Sequence, residues 1–200
     1  MGKFVPGVAI LGFIMTSPAL AQNSGPEPSC TMCEGTYVPA AEIAAYTKKA
    51  VAEHRIDQQV RDVDIGKAHI ALGVEHRGKL DKAGPQAVAE HDLVSEVYHI
   101  LDGSATLKLG PRLVNKKRRP ADEETVRLYN GPGNNADEIE GGVSYDLKPG
   151  DVVFIPAGTG HLFTHIDDHI DYIMVRIDPD KITPLKDEAA SKATLGDYAK

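Results

Sequence analysis

The sequence has no excess of positive charge: 22 Lys and Arg stand against 29 Asp and Glu, a formal net charge of −7 over 200 residues. Nucleic-acid binders carry a basic excess, so no nucleic-acid partner is expected, and attachment to an anionic lipid surface is equally disfavoured. Cysteine is scarce, with only Cys30 and Cys33. Two thiolates do not close a zinc site, and Glu34 rather than His follows Cys33, which excludes covalent haem attachment. No apolar run is long enough to span a bilayer; the longest, residues 4–15, falls short of the ~20 residues a spanning helix needs. There is no internal repeat, no low-complexity tract, and no alternation of strand and helix of the kind that builds a parallel sheet. What remains is ordinary for a soluble domain, 42% hydrophobic and 26% charged. A chain of this length buries a full core without metal or disulfide staples. The composition points to a compact acidic domain acting on small molecules or proteins.

The first residues read as an address. Lys3 precedes the short apolar run, and Ala19-Leu20-Ala21 forms a small-x-small cleavage pattern before Gln22. That is the layout of a secretory signal peptide over residues 1–21. Its removal leaves 179 residues and, with Lys3 gone, a charge of −8. The mature protein is expected to be secreted or periplasmic, with no membrane partner once the leader is removed. In such an oxidising compartment Cys30 and Cys33 are expected to form a local or intermolecular disulfide, within a linker over residues 22–38.

Pro39 then opens a helix, residues 39–56, in which Ile43, Tyr46, Ala50 and Val51 share a face. From residue 60 the period changes to two: Ile70, Leu72 and Val74 alternate with His69, Ala71, Gly73 and Glu75. Further short strands are expected over 96–101, 105–109, 126–129, 143–147, 151–155, 161–165 and 169–177, separated by Gly-, Pro- and Asn-rich turns. Many short strands in series indicate an all-β sandwich or barrel over residues 60–178. Residues 110–142 form a polar excursion in which Lys116, Lys117, Arg118 and Arg119 are followed by Asp122, Glu123 and Glu124, the pattern of a solvated loop, with anion binding by the basic run as the alternative. Residues 179–200 read as a charged tail that wraps the surface or frays.

The most informative stretch runs from Gly150 to His161. An apolar strand enters a Pro156-Ala157-Gly158-Thr159-Gly160 turn, and His161 emerges at the start of the next strand, where His161, Phe163 and His165 share a face. This resembles the second motif of the cupin superfamily, Gly-x5-Pro-x-Gly-x2-His-x3-Asn: Gly150, Pro156, Gly158 and His161 match, and His165 replaces Asn. The first cupin motif, Gly-x5-His-x-His-x3or4-Glu-x6-Gly, is met by Gly84, Glu96 and Gly103. With the four-residue spacer His91 falls on the second His and Ala89 on the first; with the three-residue spacer Glu90 and Asp92 take those positions. The first register is preferred because it keeps a good ligand at a ligand position.

The resemblance, to a small single-domain metallocupin, implies a double-stranded β-helix (jelly-roll) barrel, here with an N-terminal helix. It also implies a divalent metal ion (Fe, Mn or Zn) held by His91, Glu96 and His161. Ala89 leaves the fourth ligand open; His165 is the candidate, with Glu90, His69 and His76 behind it. Two His and one carboxylate with open positions suit such ions. Tyr98, on the inward face with Glu96, and Arg77, able to take a substrate carboxylate bidentately, are the candidate catalytic residues. His99 faces away. The function implied is that of a dioxygenase, or an isomerase or lyase, acting on a small molecule, with a non-catalytic ligand- or metal-binding cupin as the alternative. The resemblance also implies a homodimer.

Overall fold

The computed structural model describes residues 1–2, 25–31 and 33–199; apart from Met1 and Gly2, the expected signal peptide lies outside the described residues. Cys30 and Cys33 form a disulfide, with their Cα atoms 5.9 Å apart. Helix α1, Ala40–Glu53, begins directly after Pro39 and ends where His54 turns left-handed, with φ 52°. Its Glu42, Tyr46 and Ala50 are buried. Eleven strands follow among the described residues: β1 Asp57–Asp64, β2 His69–Leu80, β3 Val88–His91, β4 Ser95–Gly110, β5 Arg112–Val114, β6 Lys117–Arg118, β7 Gly133–Ala136, β8 Glu138–Glu140, β9 Val143–Leu147, β10 Val152–Ile155 and β11 Gly160–Asp178. Helix α2, Glu188–Leu195, comes near the end of the chain.

Every strand pairing is antiparallel. One path runs β1-β2-β11-β3-β7-β6, while β4 pairs with β9, β10 and β11, and β5 with β8 stands apart. This is a jelly-roll barrel with an N-terminal helix, and β4 and β11 are its long bent members. The expected break at Asp102-Gly103 is a kink inside β4 rather than a turn. Gly103 takes φ +78°, and a β-carbon there would lie 2.0 Å from the His169 carbonyl oxygen, so the crossing of the two long strands demands glycine. The segments expected as separate strands at 161–165 and 169–177 fuse into β11, with bulges absorbing the breaks.

Other expectations are corrected. Residues 126–129 form part of a π-helical turn, Val126–Asn130, rather than a strand. The excursion of residues 110–142 is structured by β5 to β8. The tail contains α2, capped by the Asp187 carboxylate, which accepts from the Ala190 amide at 2.8 Å. α2 closes a core of its own, in which Leu195 packs with Tyr46, Val60 and Val74 under α1. The main core fills the barrel with Tyr98, Ile100, Leu107, Phe163, Ile170, Tyr172 and Met174. Val88, Ala136, Ile139 and Leu162 form a third cluster beside β3 and β7.

Candidate metal centre

The site is built by three strands and one turn. β3 ends at His91, β4 begins just before Glu96, and β11 begins just before His161. The turn between β10 and β11 is held shut by the Thr159 amide donating to the Pro156 carbonyl at 3.1 Å, with Gly158 at φ +80°. Positive φ at the third residue of such a turn is why glycine stands there. The Gly158 amide also donates to the His91 carbonyl at 2.7 Å, and Ala157 donates to Ser95 Oγ at 3.0 Å. The turn that aims His161 is therefore bolted to the strand that ends in His91.

His91 Nε2 lies 3.2 Å from Glu96 Oε1, and His161 Nε2 lies 3.5 Å from Glu96 Oε2. The three ligand atoms fall within 4.8 Å of one another, and all three residues are buried. Two ligands each ~2.1 Å from one ion stand roughly 3.0–3.4 Å apart, so the donor set fits a divalent ion. The electrostatics agree. Burial alone raises the Glu96 carboxyl, but the imidazoles of His91 and His161 and the Arg176 guanidinium outweigh it and hold Glu96 well below the usual carboxylate range. Burial pushes His161 down to about 4 against the pull of Glu96, leaving a neutral imidazole. His161 Nδ1 faces the Thr159 carbonyl oxygen at 3.3 Å. That contact places the ring proton on Nδ1 and frees the Nε2 lone pair toward Glu96, the orientation a metal-ligating His requires.

Around the cluster is a cavity of about 240 Å³ bordered also by Glu75, Arg77, Tyr98 and Arg119. Tyr98 donates its hydroxyl to Glu96 Oε2 at 2.8 Å. Burial, then the charge of Glu96, raises the Tyr98 phenol well above its ordinary value. Arg77 is partly exposed, its side chain at 33%, and borders the cavity. It stacks over Phe163 at 5.0 Å and donates Nε to the Tyr172 hydroxyl at 3.0 Å. Glu75, with Oε2 3.8 Å from Arg77 Nη2 and Oε1 3.8 Å from Arg176 Nη2, is raised well above the carboxylate range by burial and by Asp57.

The structure brings His91, Glu96 and His161 together, with Tyr98 and Arg77 on the same cavity. It does not bring His165 to them. The ladder between β11 and β4 slips between Phe163 and His165, and one extra residue inverts the alternation of side chains. His165 therefore points out and meets Asp167 Oδ1 at 3.1 Å, its side chain 45% exposed. The other stand-ins are engaged elsewhere: Glu90 with Asn134, Asp92 with Arg118, His69 with the Thr183 carbonyl and His76 with Asp171. Ala89 lies opposite His161 in the ladder, so the first-His position borders the site and offers no ligand.

Glu75 and Arg119 are among the cavity residues that the sequence reading did not place there. Glu75 lies on an alternating strand where any charged residue reads as outward-facing. Arg119 belongs to a basic run that reads as solvated loop; in the structure it follows the short pairing of Lys117 and Arg118 with Asn135 and Asn134, which no sequence pattern announces.

No protein-family model matches the chain, and no curated protein matches it in sequence. Among solved structures it is similar to a Bacillus halodurans protein at 12% identity, covering 85% of this chain and 97% of that one with a TM-score of 0.39. It is similar to a cupin protein of Bacteroides fragilis at 12% identity, covering 78% and 93% with a TM-score of 0.36. A third likeness is to a Methanocaldococcus jannaschii cupin family protein with a double-stranded β-helix fold, at 14% identity, 62% and 82% coverage and a TM-score of 0.35. Likenesses this distant carry no residue role and no activity across. On its own strand order the chain is an antiparallel jelly-roll barrel, with two buried imidazoles and one buried carboxylate converging in it.

Proposed function

We propose that the chain is an exported metalloenzyme of the isomerase or lyase type, acting on a small molecule, with one divalent ion held by His91, Glu96 and His161. The observation that carries this reading is the convergence of those three ligands in a cavity where a buried phenol, Tyr98, donates to the ligand carboxylate. A bound ion there supplies Lewis-acid polarisation of a substrate oxygen and, as iron or manganese, redox chemistry as well.

The chain's own residues do the rest. Glu96 is ionised and accepts from Tyr98, and burial with that charge keeps the proton on the phenol, so Tyr98 serves as a fixed hydrogen-bond donor that gives up its proton only to a strongly basic substrate atom. Arg77, its guanidinium over Phe163 and facing the cavity, binds a substrate carboxylate. The apolar barrel wall of Phe163, Ile170 and Met174 excludes bulk water. The phenol–carboxylate hydrogen bond favours proton transfer over oxygenation. Two further readings each have one observation behind them: the two-His, one-carboxylate set suits a non-haem iron dioxygenase, and Ala89 at the first-His position suits a cupin that binds without catalysing.

The deciding experiment is elemental analysis of the protein from its native compartment, alongside His161→Ala, Glu96→Gln and His165→Ala. We expect near one divalent ion per chain in the wild type and in His165→Ala, and a metal-poor but folded protein in the other two. A metal-free wild type that is fully folded sinks the enzyme reading. Turnover of hydroxy and keto acids without oxygen, against oxygen consumption, separates proton transfer from oxygenation. N-terminal sequencing of the exported protein tests the leader; a mature chain starting after Ala21 is expected.

A further inference from the structure

Arg119 is the one residue of the basic run that enters the cavity. Its amide donates to the Gly133 carbonyl at 3.1 Å, which fixes the backbone at the end of β6. Its guanidinium donates from Nε to Asn135 Oδ1 at 2.6 Å, from Nη2 to the Asn134 carbonyl at 3.2 Å, and from Nη1 to His91 Nδ1 at 3.2 Å. All three acceptors are neutral. Its neighbour Arg118 pairs with Asp92, but Arg119 makes no ion pair among the described residues, although Glu123 borders the same cavity. Glu123, Glu96, Glu90 and Asp92 act on the guanidinium from a distance, but with no carboxylate in contact a half-buried guanidinium keeps the capacity to take a charged ligand.

The contact with His91 specifies when it arrives. A guanidinium only donates hydrogen bonds, so His91 Nδ1 carries a lone pair here, and the ring proton sits on Nε2, directed at Glu96 Oε1. A metal-ligating imidazole needs the opposite arrangement: lone pair on Nε2, proton on Nδ1. His161 has it; His91 does not. An N–H on His91 Nδ1 and an N–H on Arg119 Nη1 cannot share the space between them. An ion on His91 therefore expels Nη1, while Asn135 keeps hold of Nε. A divalent ion adds two positive charges to a cavity lined by Arg77 and Arg119 and by the carboxyls of Asp57, Glu75, Glu96 and Glu123.

We propose that Arg119 is a metal-released anchor for an anionic ligand, a carboxylate taken in the planar fork geometry that guanidinium favours. Lys116 and Lys117, exposed on the same run, add a positive field at the approach. The inference rests on the metal reading above and assigns the substrate class of that site. Because such coupling is reciprocal, the anion tightens the metal as much as the metal tightens the anion.

The test is titration of metal-free protein with Co²⁺, followed by calorimetry and visible absorption, alone and with acetate, inorganic phosphate or tetramethylammonium. For the wild type, saturating acetate should raise Co²⁺ affinity by roughly 10-fold, within the ordinary span of such couplings, and tetramethylammonium should not. Arg119→Met should bind Co²⁺ more tightly than wild type without acetate, because the donor that keeps His91 Nδ1 unprotonated is gone, and should lose most of the acetate effect, the remainder being that of Arg77. In ¹⁵N-histidine spectra of the wild type, His91 Nδ1 should be unprotonated without metal and protonated with it; this measurement needs no variant. The inference is overturned by a protonated Nδ1 in the metal-free protein, by Arg119→Met binding Co²⁺ no more tightly, or by an acetate effect that survives the substitution undiminished. An effect of phosphate with none of acetate overturns the carboxylate assignment. If no form binds Co²⁺, the metal reading itself has failed, and the spectrum of the metal-free protein still decides whether Arg119 holds His91 in the wrong tautomer.

Discussion

Tyr98 is the residue whose role is most open to direct test. Its hydroxyl makes one hydrogen bond, to a carboxylate that is also the central member of the cluster. Tyr98→Phe removes that hydroxyl and keeps the ring stacked with Phe163 and Tyr172. The variant should retain its metal and lose about 10²- to 10⁴-fold in turnover, the usual contribution of a positioned acid or base. Metal loss in the variant, measured by elemental analysis, would instead make the phenol an orienting partner of Glu96. His161, His91 and Glu96 were legible in the sequence because the turn residues that aim them are themselves recognisable. His165 was misplaced because period-two reasoning has no term for a bulge. Arg119 was invisible because a run of four cations looks the same whether the last turns inward or not.

At the scale of elements, the clasp between β1, the end of β11 and the following segment has its own chemistry. Thr183 Oγ1 lies 2.9 Å from both Asp62 Oδ2 and Asp178 Oδ2, and the Thr183 amide also donates to Asp178 Oδ2. One hydroxyl has one hydrogen. Thr183 can donate to only one of the two carboxylates at a time, so the buried pair is short of a hydrogen, which protonation of Asp62 supplies. Burial pushes Asp62 up to about 6, with help from Asp178 and against the Thr183 hydrogen bond and His69. A carboxyl raised in the fold binds its proton more tightly folded than unfolded. Its stabilisation is thus complete below about pH 4 and is lost as the pH climbs through about 6. Asp62→Asn mimics the protonated form. It should melt roughly 2–6 °C higher than wild type at pH 7.5 and show no gain at pH 4; a constant difference across that range refutes the shared proton. α2 lends itself to a second measurement. Leu195 is 3% exposed, and Leu195→Ala should cost about 2–4 kcal/mol in denaturant unfolding. Both features escaped the sequence reading because eight residues of helix in a charged segment carry too little periodicity to stand out, and a proton shared across sequence distance leaves no pattern.

For the whole molecule, the all-β class was legible from alternation and turn residues. The length of β4 and β11 was not, since a kinked or bulged strand reads as two. The outward face of β10, β4 and β11 carries exposed Phe154, Val152, Leu101 and Ile177, at 71%, 50%, 38% and 37% exposure, and β10 pairs only with β4. An apolar face beside a free strand edge is what a second copy covers. A homodimer is therefore expected in sedimentation, with Phe154→Glu shifting it to monomer; a wild type that stays monomeric at tens of micromolar refutes it. The place of β11 carries a further consequence. The last strand made is the one on which β2, β3 and β4 all pair, and the core under α1 waits for Leu195. The pairings of β2, β3 and β4 with β11 can form only once β11 has been synthesised, so closure of the barrel has to wait for it.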